Sequence, residues 1–242
     1  MIPPTSIDGT DITGATIDGT DVEEITVDGD VVFTAAPVIP PSGVTRLEFE
    51  QDYTDSWGNN DGSPVGSPSF VTDSEEGSFA VDLGTSDYVE LPQNAFDSVY
   101  SGNEVSLSYY VKTSQSIGST ATHFSIEGAW LINLVDDDDG AVSTTFTGSS
   151  SNRIIGPTIN DGSYHHVVAV YDGTDQILYV DGTEEARSSV SIFDITTIDR
   201  ESAIGAQWDG VKSSDGIFDD PRVYSKGLNG TEVSNLYNTG SI

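Results

Sequence analysis

Two segments of this 242-residue chain combine aromatic side chains with acids, as carbohydrate-binding sites do. The first contains Tyr53 and Trp57, and the second contains Trp208, Asp209 and Asp215. Aromatic rings stack on sugar rings, and carboxylates accept hydrogen bonds from sugar hydroxyls. Both segments are rich in turn-forming residues, which predicts loops, and the loops of a β-sandwich cluster at the ends of its sheets. We therefore predict a ligand-binding tip at these five residues; the alternative for Trp208 is packing beneath its own loop.

No segment has the spacing of a catalytic site. His165 and His166 are neighbours, and adjacent strand residues point to opposite faces, so the pair cannot hold one metal ion. Glu127 lacks the second nearby carboxylate that glycoside hydrolysis requires. The acidic run at 136–139 precedes a glycine and is interpreted as a solvated turn, or alternatively as a cation-bridged tip. The chain has no cysteine, no G-x-S-x-G and no phosphate-binding loop, so we expect no enzyme activity.

Short β-strands must position these loops. From Val44 onward, β-branched and aromatic runs alternate with turn signals, and no long helical pattern occurs, which predicts an all-β antiparallel sandwich. Residues 229–237 are predicted to form one short helix with Thr231 as a candidate N-cap. The predicted strands are 45–50, 79–83, 88–91, 105–112, 123–127, 129–135, 141–147, 164–171, 176–180, 202–206 and 216–224.

The central hairpin carries a family resemblance. Its two runs, 164–171 and 177–180, each end at an Asp-Gly pair, a strong hairpin signal. The pattern resembles the W-H-H-V-A-V-x-Y-D-G … L-x-L-Y-V-D-G segment of laminin-G-like, concanavalin A-type jelly rolls. The resemblance implies a two-sheet jelly roll over residues 44–242, a fold that hosts lectins, adhesins, enzyme appendages and spacers. Further blocks in the family's order are Leu47-Glu48-Phe49-Glu50, 55–62, 79–84, Asp87-Tyr88-Val89-Glu90-Leu91-Pro92, 217–228 and 232–237.

The same resemblance implies a structural calcium ion where the opening loop meets the closing strand. The matching positions are Asp52, Asn60 and Asp61 in the loop and Asp219 or Asp220 in the strand, of which Asp220 is the preferred ligand. Calcium takes six to eight hard oxygen ligands from such side chains and from backbone carbonyls. Because Asp219 and Asp220 are adjacent in a strand, one is expected to bind the ion while the other is solvated. The alternative is chance proximity among 40 acids.

An internal repeat occupies residues 1–35. Ile7-Asp8-Gly9-Thr10-Asp11 recurs ten residues later, and Val27-Asp28-Gly29-Asp30 is a looser third copy. Each copy places an Asp-Gly turn after a β-branched run, which predicts small hairpins or a meander. The segment resembles pieces at the start of tail and baseplate-associated proteins of phages and haloarchaeal viruses; the alternative is a β-arm that decorates the main domain. Residues 36–43 form a proline-rich linker.

The charge balance is extreme, with 8 Lys and Arg against 40 Asp and Glu, a formal net charge of −32. Hydrophobic residues still make up 36% of the chain, enough for a core, so the acids do not imply disorder. At about 1 M salt the Debye length is about 3 Å, and self-repulsion of the charges largely disappears. We therefore infer adaptation to high salt, and we exclude nucleic acid as a partner.

These features predict a virion surface protein of a halophilic virus: a tail fibre, spike or turret in an extracellular, high-salt environment. The start of the chain lacks a secretory-signal pattern, and no apolar run could cross a membrane. Residues 1–35 would bind other virion proteins and form a homo-oligomer, a trimer or higher, while the jelly roll would bind a host glycan or S-layer glycoprotein. The alternatives are a purely structural virion protein and a carbohydrate-binding module of a haloarchaeal surface protein.

The charge balance predicts salt-dependent folding. We expect circular dichroism to show loss of β-structure in low salt and recovery in molar salt, because screening removes the repulsion between acids. Cooperative folding in water without added salt would contradict adaptation to high salt.

Overall fold

The computed structural model divides the chain into two units, Met1–Ile39 and Pro40–Ile242. It describes the second unit except residues 94, 97–98, 100–103, 116–120, 127–130, 136–139, 147–149, 192–200 and 208–209. In the first unit it describes residues 6–7, 10–11, 16–17, 20–21, 24–27 and 30–34.

The described residues of the first unit form three two-stranded antiparallel hairpins. Each hairpin brackets one Asp-Gly pair of the repeat, which confirms the prediction of small hairpins. Two-stranded hairpins bury too little apolar surface to be independently stable. Their strands are β1 (Ser6–Ile7), β2 (Thr10–Asp11), β3 (Thr16–Ile17), β4 (Thr20–Asp21), β5 (Glu24–Val27) and β6 (Asp30–Thr34).

The second unit is an antiparallel β-sandwich, and its described residues include the helix α1 (Gly230–Thr239). A 3₁₀ turn spans Ser150–Asn152. Among the described residues, no helix has the length and apolar character needed to span a bilayer. The strands are β7 (Gly43–Arg46), β8 (Ser63–Val65), β9 (Ser69–Val71), β10 (Ala80–Leu83), β11 (Tyr88–Leu91), β12 (Val105–Lys112), β13 (Ala121–Ile126), β14 (Leu131–Val135), β15 (Ala141–Thr145), β16 (Ile154–Thr158), β17 (Tyr164–Tyr171), β18 (Asp175–Val180), β19 (Thr183–Ser189), β20 (Ser202–Ile204) and β21 (Gly216–Tyr224).

Two sheets face each other across the main core, as predicted for a jelly roll. The first sheet has the order β19-β18-β17-β12-β21-β10-β9, and β7 also pairs with β21. The second sheet has the order β16-β15-β14-β13-β20-β11-β8. Leu107 and Ala169 from the first sheet share one buried cluster with Val89, Phe124 and Val142 from the second. Burying these side chains supplies the main favourable free energy of folding.

The helix covers the outer face of the first sheet, the face turned away from the main core. Val233 and Leu236 pack against Val168 and Val170, whose neighbours Val167 and Ala169 face the main core. Strand β17 is therefore buried on both faces, which explains its continuous apolar run instead of alternation.

The N-cap of the helix lies two residues earlier than the sequence suggested. Asn229, not Thr231, is the N-cap: its side-chain oxygen accepts hydrogen bonds from the backbone N–H groups of Thr231 and Glu232. The Glu232 carboxylate in turn accepts a hydrogen bond from the Asn229 N–H, which completes a capping box. Asparagine is a strong N-cap because its short amide reaches these otherwise unpaired donors.

The predicted strands agree with the structure in the interior of the sheets and fail at their edges. Four strands were not predicted from the sequence, and they are the strands at the ends of the two sheets: β8, β9, β16 and β19. Edge strands bury little surface and tolerate proline and charge, as Pro64 in β8 and Glu184 in β19 illustrate. The strand predicted at 45–50 instead ends at Arg46, since Phe49 adopts a left-handed backbone with φ 55°.

A substitution in the main core is expected to lower the free energy of unfolding more than a substitution at the edge of a sheet. Leu107→Ala should lower the free energy of unfolding by about 2–5 kcal/mol, because it leaves a cavity between the sheets. Ile155→Ala is the control, since this side chain on β16 is 51% exposed; its effect should stay within about 0.5 kcal/mol. Urea unfolding in molar salt measures both, and equal losses would contradict the assigned core.

Candidate ligand-binding site

A polar patch lies on the outer face of the first sheet, where β10, β12 and β21 run side by side. Val81, Val111 and Phe218 belong to the main core. Side chains alternate along a strand, so the neighbouring Asp82, Lys112 and Ile217 point to the outer face. The register aligns these positions directly, with Ile217 opposite both Asp82 and Lys112.

These side chains line a pocket of ≈ 390 Å³. The segment after β12 supplies one wall, with Ser114 and Gln115, and the segment before β21 supplies another, with Asp215. We name this site the outer-face pocket. Its full lining is Asp82, Lys112, Thr113, Ser114, Gln115, Gly162, Asp215, Gly216 and Ile217.

Hydrogen bonds between the walls hold the pocket open. The side-chain oxygen of Gln115 accepts from the Asp215 N–H at 3.0 Å, and the Thr113 hydroxyl donates to the Asp215 carbonyl at 2.6 Å. The Asn160 amide donates to the Gln115 carbonyl at 3.1 Å, and Gly162 N–H donates to the Thr113 carbonyl at 3.0 Å. The walls are thus fixed to one another before any ligand arrives, which lowers the entropy lost on binding.

The pocket is acidic. Within the described part of the chain, neither the Asp82 nor the Asp215 carboxylate has a hydrogen-bond or ion-pair partner. Burial and the nearby charges of Asp215 and Asp87 raise the pKa of Asp82. Lys112 is already paired, since its ammonium lies 2.7 Å from Asp73 Oδ2.

A buried acid holds the loop that borders this patch. Asp219 Oδ2 accepts hydrogen bonds from the backbone N–H groups of Glu75 and Glu76, both at 2.8 Å. The same loop contains Asp73, whose carbonyl accepts from the Tyr164 hydroxyl at 2.6 Å. Asp219 Oδ1 is buried without a described partner. Burial raises the pKa of Asp219 to about 7, and the negative charges of Asp220 and Glu76 add to this increase. The two hydrogen bonds from the backbone lower the pKa and offset part of it.

Asp220 forms an ion-pair network instead of facing solvent or a metal ion. Its Oδ1 accepts from Arg46 Nε at 2.7 Å, and its Oδ2 accepts from Arg222 Nε at 2.8 Å. Both Asp219 and Asp220 are buried, so the expectation that one of them is solvated was wrong. The reason is a bulge: β21 carries one extra residue between Ser108 and Tyr110 of β12, and Asp220 has φ 49°. A bulge interrupts the alternation on which that expectation relied.

The opening loop is held by protein groups at the positions predicted to bind calcium. Asp61 Oδ1 accepts from the Asp55 N–H at 2.8 Å, and the Asn60 amide donates to the Thr45 hydroxyl at 2.8 Å. Asp52 is exposed and caps a turn at the Thr54 N–H. In the described chain, no three His, Asp or Glu side chains are grouped to hold a metal ion. Asn60, Asp61 and Asp220 each have protein partners in this structure, and calcium binding by Asp52, Asn60, Asp61 and Asp220 stays a prediction from the sequence.

Asp55 is the residue that organises this loop. It is buried, and Oδ1 accepts from the N–H groups of Arg46 and Trp57, both at 3.0 Å. Oδ2 accepts from the Asn60 N–H, also at 3.0 Å. Sequence reasoning missed this role, although an Asp within a Gly- and Asn-rich segment is a common centre of turn hydrogen bonds.

The structure brings one of the five predicted sugar-binding residues, Asp215, into the outer-face pocket. Trp57 packs edge-on against Tyr224, with ring centroids 5.3 Å apart, and lies against the cluster beneath the helix. Tyr53 packs against Phe49 and Phe70 beside the main core. Neither ring lines the pocket, and their packing conflicts with the prediction that they stack on a ligand. Trp208 and Asp209 lie outside the described residues.

Sequence reasoning missed the other pocket residues because they come from distant segments. Asp82 is polar between apolar neighbours in β10, Lys112 ends β12, and Gln115 follows it. A lone polar residue in a half-buried strand signals only an outward-facing position. The register of β10, β21 and β12 then decides which outward positions meet.

The two adjacent histidines face different surroundings, as predicted. His165 Nδ1 lies 2.9 Å from Asp181 Oδ2 near the surface, whereas His166 is buried and its Nε2 lies 2.8 Å from the Ser108 hydroxyl. The His166 ring also stacks near Tyr237 of the helix, with centroids 5.9 Å apart. Burial lowers the pKa of His166 to about 3, so it is a neutral packing residue at physiological pH.

Comparison with known proteins shows a family match over most of the jelly roll. Residues 83–234 match the Laminin_G_3 family, described as the concanavalin A-like lectin/glucanases superfamily. A comparison with curated protein sequences gave no significant match.

Solved structures share the fold at low identity. Domain 4 of AbnA, a GH43 extracellular arabinanase from Geobacillus stearothermophilus in complex with arabinotriose, aligns with TM-score 0.64 at 20% identity, over 81% of this chain and 98% of that one. A botulinum neurotoxin type C structure, described with two ganglioside molecules in cell entry, aligns with TM-score 0.62 at 16% identity over 83% of this chain. The binding domain of Paraclostridial Mosquitocidal Protein 1 gives TM-score 0.62 at 16% identity over 82%. This chain spans about half of the last two, 52% of each.

The buried Asp219 predicts a measurable pH dependence. In the unfolded chain this carboxyl ionises near its ordinary pKa of 3.8, whereas in the folded protein it stays protonated to about pH 7. The stability it contributes is therefore fully present below pH 3.8 and is lost as pH rises to about 7. Asp219→Asn cannot ionise, so its free energy of unfolding should rise relative to the native protein across that window and stay level above it.

Urea unfolding at fixed molar salt measures this difference. Taking the difference between variants cancels the opposite effect of His123 and His166, whose pKa values burial lowers to about 3. Glu185→Gln, a neutralised acid at an exposed position, is the control. A difference that does not change with pH would contradict the assigned state of Asp219.

Proposed function

We propose that this chain, which belongs to the Laminin_G_3 family of concanavalin A-like lectin/glucanases, binds carbohydrate in its outer-face pocket. The observation that carries the proposal is the convergence of polar groups in one preformed cavity, among them two carboxylates that have no partner among the described residues. Asp82 and Asp215 offer carboxylate oxygens that accept hydrogen bonds from hydroxyl groups. Ser114 and Gln115 add a hydroxyl and an amide, and Ile217 supplies an apolar surface for the C–H face of a sugar ring.

The size of the pocket suits a small part of a glycan. Its ≈ 390 Å³ falls near the lower end of the range of about 300–1,000 Å³ that is typical of small-molecule sites. One or a few sugar residues would fill it while the remaining glycan extends into solvent. Sites of this kind bind weakly as single copies and gain strength when several copies act together.

Structural relatives support the ligand class. One is described in complex with arabinotriose, one by interaction with gangliosides, and a botulinum neurotoxin DC binding domain in complex with SialylT. At identities of 13–20% these relatives share only the fold with this chain, so the ligand class rests on the pocket together with family membership.

We place this domain on the surface of a halophilic virus, as part of a tail fibre, spike or turret that contacts a host glycan or S-layer glycoprotein. The net charge of −32 supports a high-salt environment. The first unit supports an anchoring and oligomerising role: its hairpins are too small to be stable alone and would be stabilised by packing on other virion proteins or on copies of themselves. The proline-rich residues 36–43 would hold the jelly roll away from that anchor.

The test is glycan binding by the full-length protein in molar salt, on a glycan array and on isolated envelopes of halophilic cells. Asp82→Ala and Asp215→Ala should each weaken binding at least about tenfold, because each removes a charged acceptor with a net contribution of about 1.5–3 kcal/mol. Glu185→Gln, three strands away in the same sheet, should bind as the native protein does.

Absence of binding to every glycan and envelope would contradict the proposal. Binding that survives both pocket substitutions would move the site elsewhere on the jelly roll, and the loop that contains Trp208 would then be substituted next.

A further inference from the structure

We infer that the outer-face pocket selects uncharged glycans and rejects those that carry a carboxylate or sulfate group at the bound sugar. The inference rests on the proposed function and names the ligand class of that same site. It depends on the balance of charge around the cavity.

The lining contains two carboxylates and one ammonium group. The carboxylates of Asp82 and Asp215 have no partner in the part of the chain that the structure describes. Lys112 pairs with Asp73 and lies over the Tyr164 ring, 5.6 Å from its centroid. The pocket lining contains no arginine. An anionic ligand would meet one ammonium group, whose charge Asp73 already offsets, against two carboxylates.

Carboxylates accept hydrogen bonds but cannot donate them when ionised. Sugar hydroxyls are donors and match them, whereas a second carboxylate presents only acceptors. Placing like charges together across an interface is a recognised means of excluding a wrong partner. Asp82 already interacts unfavourably with Asp215 and Asp87, so a further negative charge would add to an existing repulsion.

The dependence of binding on salt concentration distinguishes repulsion within the pocket from repulsion by the net charge of the protein. At about 1 M salt the Debye length is about 3 Å, so the net charge of −32 no longer repels a distant anion. A charge on a bound sugar would lie in direct contact with the pocket carboxylates, and Asp82 is half-buried, so this repulsion is screened less than the long-range field, although Asp215 is exposed. Selection made in the pocket should therefore persist in molar salt, whereas repulsion by the overall charge should fade.

The experiment compares neutral glycans with sialylated, uronic and sulfated counterparts of the same core, using the full-length protein on an array at several salt concentrations. We expect the bound glycans to be neutral and each anionic counterpart to bind at least tenfold more weakly, including in molar salt. Isothermal titration calorimetry of the best neutral glycan and its anionic counterpart gives the ratio of their affinities.

A double variant assigns the selection to the pocket. Asp82→Asn with Asp215→Asn keeps the side-chain shapes and acceptor oxygens but removes both charges, so the preference for the neutral glycan should fall at least tenfold. Asp52→Asn with Glu185→Gln removes two charges from exposed positions outside the pocket lining and should leave the ratio unchanged.

The outcomes are distinct. Binding of anionic glycans as tightly as neutral ones, or an unchanged ratio in the pocket double variant, overturns the inference while the proposed function stands. Equal loss of preference in both double variants assigns the effect to overall charge and also overturns it. Binding of no glycan at all overturns the proposed function and the inference with it.

Discussion

The ion-pair network of Asp220 with Arg46 and Arg222 connects the beginning, the end and the centre of the jelly roll. Arg46 belongs to β7, Asp220 and Arg222 belong to β21, and Arg222 also donates to the Gly240 carbonyl that follows the helix, at 2.6 Å. Removing one partner of such a buried pair leaves an uncompensated charge and costs about 3–5 kcal/mol. Loss of Arg222 would therefore be strongly destabilising, and the network holds the bulge of β21 beside which the neighbouring features lie.

The bulge has consequences for the surface. It turns Asp219 toward the loop that contains Glu75 and Glu76, and this loop brings Asp73 to Lys112. Lys112, the cation in the pocket lining, is thereby paired, and neither pocket carboxylate has a partner among the described residues. A structural network in the interior thus sets the charge that the pocket presents to a ligand.

The jelly roll is a frame on which many functions occur, so its presence alone says little about what is bound. What distinguishes this chain is an acidic, prearranged pocket on a protein of extreme negative charge. In concentrated salt the overall charge keeps the surface hydrated while its long-range field is screened. Recognition would then depend on contacts within the pocket rather than on electrostatic attraction from a distance.

Local pattern sufficed for the interior strands, the Asp-Gly hairpins and the family. Tyr164–Tyr171 was bounded correctly because this strand, buried in the middle of a sheet, carries a nearly continuous β-branched and aromatic run. Gly216–Tyr224 was also bounded correctly, although a polar segment interrupts its apolar pattern. The edge strands were missed because partial exposure leaves them free to carry proline and charge. The N-cap was misplaced because Asn229 and Thr231 have similar capping propensity, and only the backbone conformation distinguishes them.

The site needed the tertiary structure. Asp82, Lys112 and Asp215 are far apart in the chain, and strand register alone makes them neighbours. Trp57 is of a residue type that often binds sugars, yet in this structure its ring packs against Tyr224. Asp220 is of a residue type that binds calcium, yet in this structure its carboxylate pairs with two arginines. Residue type and spacing define what a side chain can do, whereas its partners, which come from distant segments, determine what it does.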